Sequence, residues 1–277
     1  MWYSGIDVAL VPVALAVYAL SALAYGLLWH RSIRLARIPA TALMSAGLAI
    51  NIFQIVFRWT TAGQPPFKTL YESLLLLAAC IAVVYLAMEA VYRLRVLGLP
   101  AAIGAAAAVL YAYIQVDKEA VNLPAALQSG WFIPHVVVYF FGYAALFIGT
   151  AAAVLYIARP APIRLGRADL TGSSEIDVDA FMSGSVRFGF VLLTMGLLMG
   201  AFWAKAAWGD YWVWDPKETW SLVTWLVFAT YMHMRFVGGW SRRGLAIVVV
   251  VGFAAVIFTY LGMQLLPSAD QSLHVYQ

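Results

Sequence analysis

The sequence predicts an all-α integral membrane protein of about eight transmembrane helices, with both termini outside. Three observations carry that expectation. Of the 277 residues, 64% are hydrophobic and 11% charged, against about half and a quarter in soluble domains. The apolar residues fall in runs of roughly 18 to 25, the length a helix needs to cross a bilayer core. The basic residues, finally, are shared unequally between alternate loops.

The runs are continuously apolar and do not alternate with period two, which selects helices over a closed barrel. They cover residues 8–29, 40–58, 69–91, 97–114, 134–157, 187–206, 217–236 and 244–264. These make a single polytopic domain over 1–277. The first run has no basic leader and reads as a span, not as a cleaved signal. With the loop after the first span inside, twelve arginines fall on the inner side: Arg31, Arg34, Arg37, Arg93, Arg95, Arg159, Arg164, Arg167, Arg187, Arg235, Arg242 and Arg243. Five basic residues fall outside: Arg58, Lys68, Lys118, Lys205 and Lys217. Twelve against five sets the orientation. The longest inner connection, 158–186, holds Pro160, Pro162, Gly166, Gly172, Ser173 and Ser174 and reads as a solvated connector.

The net charge of +4 and pI near 9.2 follow from those loop arginines, so topology accounts for them and a nucleic-acid partner is not implied. Cys80 is the sole cysteine. That excludes an internal disulfide, a Cys-x-x-Cys redox pair and the Cys-x-x-Cys-His of a c-type cytochrome.

Residues 203–225 hold six of the eleven tryptophans, namely Trp203, Trp208, Trp212, Trp214, Trp220 and Trp225. An interfacial aromatic belt is one account. The density of rings, broken by Gly209, Asp210 and Asp215, suits an outer surface at 203–220 for a flat apolar ligand. Asp215-Pro216-Lys217-Glu218 reads as a capped helix start, as does Thr69-Leu70-Tyr71-Glu72. Asp215 can also orient the indoles beside it.

Three of the four histidines fall at informative depths. His135 opens the fifth span and His274 lies in the outer tail, so both share the tryptophan-rich face. Paired neutral imidazoles are axial ligands for haem iron. His233 follows Asp215 by eighteen residues, hence about 27 Å deeper along one helix. It is either a functional group within the membrane or a side chain snorkelling to the inner headgroups beside Arg235. His30, between Trp29 and Arg31, fits the snorkelling account. Asn51, Gln54 and Arg58 share one helical face. They either bond between helices or line a cavity, with Arg58 paired to a haem propionate.

The segment WGDYWVWDPKETWSLVTWLVFATYMHMR closely resembles the tryptophan-rich WWD signature of the haem-handling superfamily. Within it, QPPFKTLYES at 64–73, WFIPHVVVYFFGYA at 131–144 and SVRFGFVLLTMGLLMGAFWAKAAWG at 185–209 resemble the CcsA (ResC) family. These are membrane subunits of the system II cytochrome c synthase. The resemblance implies that His135 and His274 ligate haem outside, and that His233 receives it from the inner side. It implies that Trp208, Trp212, Trp214 and Asp215 hold the haem with its vinyl groups exposed. It further implies a CcsB/ResB membrane subunit that brings the second inner ligand, apocytochrome c with Cys-x-x-Cys-His, and thiol-reducing proteins as partners. The cargo would be haem b, and the location a bacterial cytoplasmic membrane, or a thylakoid if plastid-derived. The tail departs from the family's Gly-Leu-His-Ser-Tyr, reading Ser272-Leu273-His274-Val275-Tyr276. The activity expected is haem transport and presentation as part of a haem lyase that works by positioning. The alternative is a haem exporter or chaperone of the CcmC type, for which six spans are expected.

Overall fold

The computed structural model describes residues 5–31, 37–92, 95–115, 123–158 and 177–262. All regular structure among them is helical: α1 (Ile6–Ala9), α2 (Val11–Arg31), α3 (Arg37–Ala62), α4 (Leu70–Tyr92), α5 (Gly98–Ile114), α6 (Phe132–Ala158), α7 (Val178–Trp208), α8 (Pro216–Val237) and α9 (Arg242–Tyr260), with short 3-10 turns at 95–97 and 125–128. Seven of these spans, α1 running into α2 as one, are long and apolar enough to cross a membrane. α8 has the length at 22 residues but carries Lys217, Glu218, Thr219, Ser221, Thr224, Thr230 and His233. The protein is thus a helical multi-pass membrane protein.

α7 departs most from expectation. It begins at Val178, not near 187, so residues 178–186 of the expected inner loop are helical. The Asp177 side chain accepts from the Asp179 N–H at 2.9 Å and caps it. The gain for the fold lies at Asp179, whose carboxylate receives both terminal nitrogens of Arg235 at 2.9 and 2.8 Å. An apolar-run criterion misses this turn because its first residues are polar.

The described chain forms two compact units, one up to Gln128 and one from Ser129. In the first, α2 packs on α3 and α5, and α4 packs on α5 and α3. Its centre is built of Tyr18, Tyr25, Met44, Tyr71, Leu74, Leu75 and Tyr85, all essentially without solvent contact. Gly98 admits two of these rings, since a Cβ there would lie 2.4 Å from the Tyr25 ring. Buried charges sit at both ends of α4. Glu72 takes Arg58 Nε at 2.7 Å, and Glu89 takes Tyr25, Thr41 and Arg95 at 2.7, 2.7 and 2.9 Å. The two carboxylates are seventeen residues apart, about 25 Å along the helix.

In the second unit α6 and α7 form the closest pair, α9 packs on α6, and α8 packs chiefly on α9. The α6–α7 seam is made by small residues, the usual means of close helix approach within lipid. A Cβ at Gly189 would lie 2.7 Å from Leu146, and one at Gly196 would lie 2.5 Å from the Tyr139 ring.

Candidate functional site

His135 lies in the first turn of α6, where Pro134 is tolerated because the N–H groups there have no partner within the helix. Its Nδ1 is 2.8 Å from the Gly196 carbonyl oxygen on α7. The ring lies over Gly200, one turn further on, where a Cβ would meet Cε1 at 2.7 Å. Trp203, another three residues along α7, stacks on the imidazole at 5.7 Å and 26°. Tyr139 meets it edge-on at 5.0 Å. Gly196, Gly200 and Trp203 are spaced by four and three, so a single α7 face seats the imidazole.

Around this ring the aromatics continue. Trp203 is buried, with Trp208 at 4.8 Å and Phe132 at 5.7 Å. Tyr139 leads to Tyr143 at 5.4 Å, which lies 6.3 Å from Tyr260 at the end of α9. A second stack faces outward from the same helices: Trp131 on Phe202 at 5.1 Å, and Phe202 against Tyr211 at 5.9 Å. Gly209, at φ 93°, ends α7 in the left-handed conformation that glycine adopts without steric penalty.

The segment Tyr211–Asp215 then runs into α8 through the expected capping box. Asp215 accepts from the Lys217 N–H at 2.8 Å, and the Asp215 N–H donates to Glu218 Oε2 at 3.2 Å. Trp212 and Trp214 meet edge to face at 5.9 Å and 85°. The Trp212 Nε1 is buried and has no acceptor among the described residues. Below, Trp220 packs on Phe258 at 4.4 Å and Trp225 donates to Thr194 at 2.9 Å, so these two indoles are spent on packing.

The structure places the remaining expected residues as follows. Trp208 joins the His135 cluster through Trp203, and Asp215 is 5% exposed as the α8 cap. His233 is exposed on α8, about 27 Å from Asp215 along the helix, while Arg235 is taken by Asp179. His274 lies outside the described residues, and so does the side chain of His30. Arg58, in the first unit, donates to Asp7 at 2.8 Å and to Glu72 at 2.7 Å, with the Tyr71 ring beneath it at 5.2 Å. Asn51 donates to Gln54 within α3, and Gln54 donates to the Asp7 carbonyl on α1 at 2.8 Å, so Gln54 makes a bond between helices, one of the two accounts of that face. Sequence reasoning did not single out Gly196, Gly200 or Tyr139, and it counted Trp203 only among the six tryptophans. Their signal is the three-and-four spacing on one α7 face.

Fold and site define a class, that of polytopic helical membrane proteins with one imidazole seated on tryptophan at the end of a four-helix unit. The chain belongs to the cytochrome c assembly protein family, whose model matches residues 67–269. It is 38% identical over 239 residues to the cytochrome c biogenesis protein CcsA of Prochlorococcus marinus strain MIT 9312, covering 77% of each chain. The CcsA of Chlamydomonas reinhardtii is 37% identical over 240 residues, covering 84% of this chain and 67% of that one. That of Chlorella vulgaris is 34% identical over 265 residues, covering 83% of each. Among solved structures, the fold resembles the cytochrome c heme lyase CcmF with a TM-score of 0.68 at 18% identity. That match covers 94% of this chain and 48% of the other. The protein therefore acts in cytochrome c biogenesis.

Proposed function

We propose that this chain carries haem across the membrane and presents it outside for covalent attachment to apocytochrome c. The observation that carries the reading is the 2.8 Å approach of His135 Nδ1 to the Gly196 carbonyl oxygen. A carbonyl oxygen only accepts, so Nδ1 bears the proton in the bond to Gly196, and in the neutral ring the lone pair is then on Nε2. That is the tautomer an axial iron ligand needs, with the distal N–H fixed by a backbone carbonyl. The apolar, ring-lined surround suits a porphyrin face, and the buried Trp212 N–H offers a donor to an acceptor on the bound molecule.

His274 is the second outer ligand in this reading. α9 ends at Tyr260 beside Phe140 and Tyr143, at the end of the unit that carries His135. His274 follows Gly262 by twelve residues, which extend up to about 40 Å. His233 is the inner ligand, exposed so that a CcsB/ResB-type membrane subunit can supply the opposing imidazole. The asymmetry of basic residues supports placing the His135 end outside. That face lies beyond a bacterial cytoplasmic or thylakoid membrane.

Attachment needs no nucleophile from this chain. Each thiol of Cys-x-x-Cys-His adds across a vinyl group of haem b. A sulfur–carbon bond forms at the carbon next to the ring, the thiol hydrogen goes to the terminal carbon, and no electrons are lost. Thiol-reducing proteins keep the acceptor competent. The chain's own work is to hold, orient and shield the cargo. Pairing of Arg58 with a propionate would require Asp7 or Glu72 to give way, because both now hold its guanidinium.

Co-expression with a CcsB-like subunit and an apocytochrome tests the reading. His135→Ala should lose nearly all covalent haem, and added imidazole should restore part of it. Trp203→Ala removes the ring stacked on the imidazole and should weaken haem retention about tenfold. Wild-type levels of attachment in His135→Ala would overturn the proposal.

A further inference from the structure

Trp214 is the only non-glycine with positive φ among the described residues, at 58°. The residue is 68% exposed, so burial of the indole does not enforce that backbone conformation. For a bulky residue this region is strained, and it persists only where neighbouring bonds hold it. The holding group is visible. Glu218 Oε2 accepts from the Val213 N–H at 2.9 Å and from the Asp215 N–H at 3.2 Å. One oxygen therefore grips the amide on each side of Trp214. A capping box needs only the second of these bonds. The first reaches two residues further back and closes the chain around the tryptophan.

Glu72 is the natural comparison, because it holds the same position in the other capping box. Its Oε2 takes the consecutive amides of Lys68 and Thr69 at 3.0 and 3.1 Å, and no left-handed residue lies between them. The bond to Val213 is thus a feature of this helix start and not of capping in general.

We infer that Glu218 is a positioning residue for the haem site. Its carboxylate holds Trp214 in the left-handed conformation, so that the indole stands out edge-on to Trp212 as part of the surface that contacts the cargo. The inference rests on the proposed haem reading and adds to it a residue that never touches haem.

The test is a double-mutant cycle in the complex with its partner subunit, read as haem retained through purification, its absorption spectrum and covalent attachment. Glu218→Ala should lower retention about tenfold, the effect of losing an aromatic contact surface. Glu218→Gln should restore most of it, since the amide oxygen accepts both N–H groups. Trp214→Gly, which adopts positive φ freely but has no indole, should lower retention similarly. Adding Glu218→Ala to Trp214→Gly should then change nothing further. If Glu218→Ala does not accumulate in membranes, Glu218→Asp replaces it, a carboxylate too short to reach Val213. A wild-type complex that holds haem while the two effects add independently overturns this inference alone. A wild-type complex without haem overturns the functional reading, and this inference with it.

Discussion

The unit ending at Gln128 ties Arg58 into a buried ion cluster, whereas the His135 end of the unit beginning at Ser129 gathers rings. In the first, Asp7, Arg58 and Glu72 are each at most 5% exposed, and Arg58 pairs with both carboxylates across α1, α3 and α4. In the second, the buried polar contacts near His135 are few, and the space is taken by Trp203, Trp208, Phe132 and Tyr139. An ion cluster holds helices in one register, because any shift strands a charge in a medium that does not solvate it. An aromatic cluster over glycine leaves a flat apolar surface and one imidazole bonded through Nδ1 to a backbone carbonyl. The first arrangement suits a frame and the second suits a site.

Breaking the frame should have the largest effect. Arg58→Ala leaves two carboxylates without their cation, a loss of about 3–5 kcal/mol for a buried pair. Thermal stability of the detergent-purified protein should fall sharply, and hydrogen exchange should rise in α3 and α4 before α6 and α7. Replacing Arg58, Asp7 and Glu72 together with Met, Asn and Gln should recover much of the loss. If Arg58→Ala is as stable as wild type but fails to hold haem, the guanidinium belongs to the cargo, and the contrast between the units dissolves.

An intermediate effect is expected at Gly200, where the contrast can be sharpened from the other side. Gly200→Ala puts a methyl 2.7 Å from His135 Cε1, and overpacking of this kind costs about 1–3 kcal/mol. The functional loss should exceed the structural one, because moving the imidazole also breaks its bond to Gly196. Covalent attachment should drop by an order of magnitude or more, with the melting temperature only modestly lowered. Unchanged attachment would mean that the seating of His135 on α7 does not matter to ligation.

These contrasts were unevenly legible in the sequence. The eight apolar runs appear as helices, within a few residues at every boundary but the start of α7, since lipid requires an uninterrupted helix and composition reports its length. The start of α7 was not legible, because Asp177 and Asp179 are polar and their value emerges only when Arg235, 56 residues away, is beside them. Asp7 escaped notice as a partner of Arg58 for the same reason. At the site, the tryptophan run and His135 announce themselves by residue type. The glycines that seat the imidazole resemble ordinary small residues of a membrane seam, and the left-handed backbone of Trp214 leaves no mark in residue type at all. Both capping boxes, in contrast, were legible in full, since their partners lie three residues apart.

Those two boxes allow the smallest and cleanest test. Thr69 Oγ1 accepts from the Glu72 N–H at 3.2 Å in the first unit, and Asp215 Oδ1 accepts from the Lys217 N–H at 2.8 Å in the second. Thr69→Ala and Asp215→Ala each remove one cap, worth about 1 kcal/mol. The two variants should therefore lose similar, small amounts of thermal stability. Their effects on haem should differ. Thr69 holds a helix end within the ionic frame, so attachment should stay near wild type. Asp215 holds the end of the strained turn that displays Trp212 and Trp214, so its loss should lower haem retention severalfold even with the helix intact. Equal retention in both variants at matched stability would show that the α8 cap is only a cap, and that the tryptophans keep their places without it.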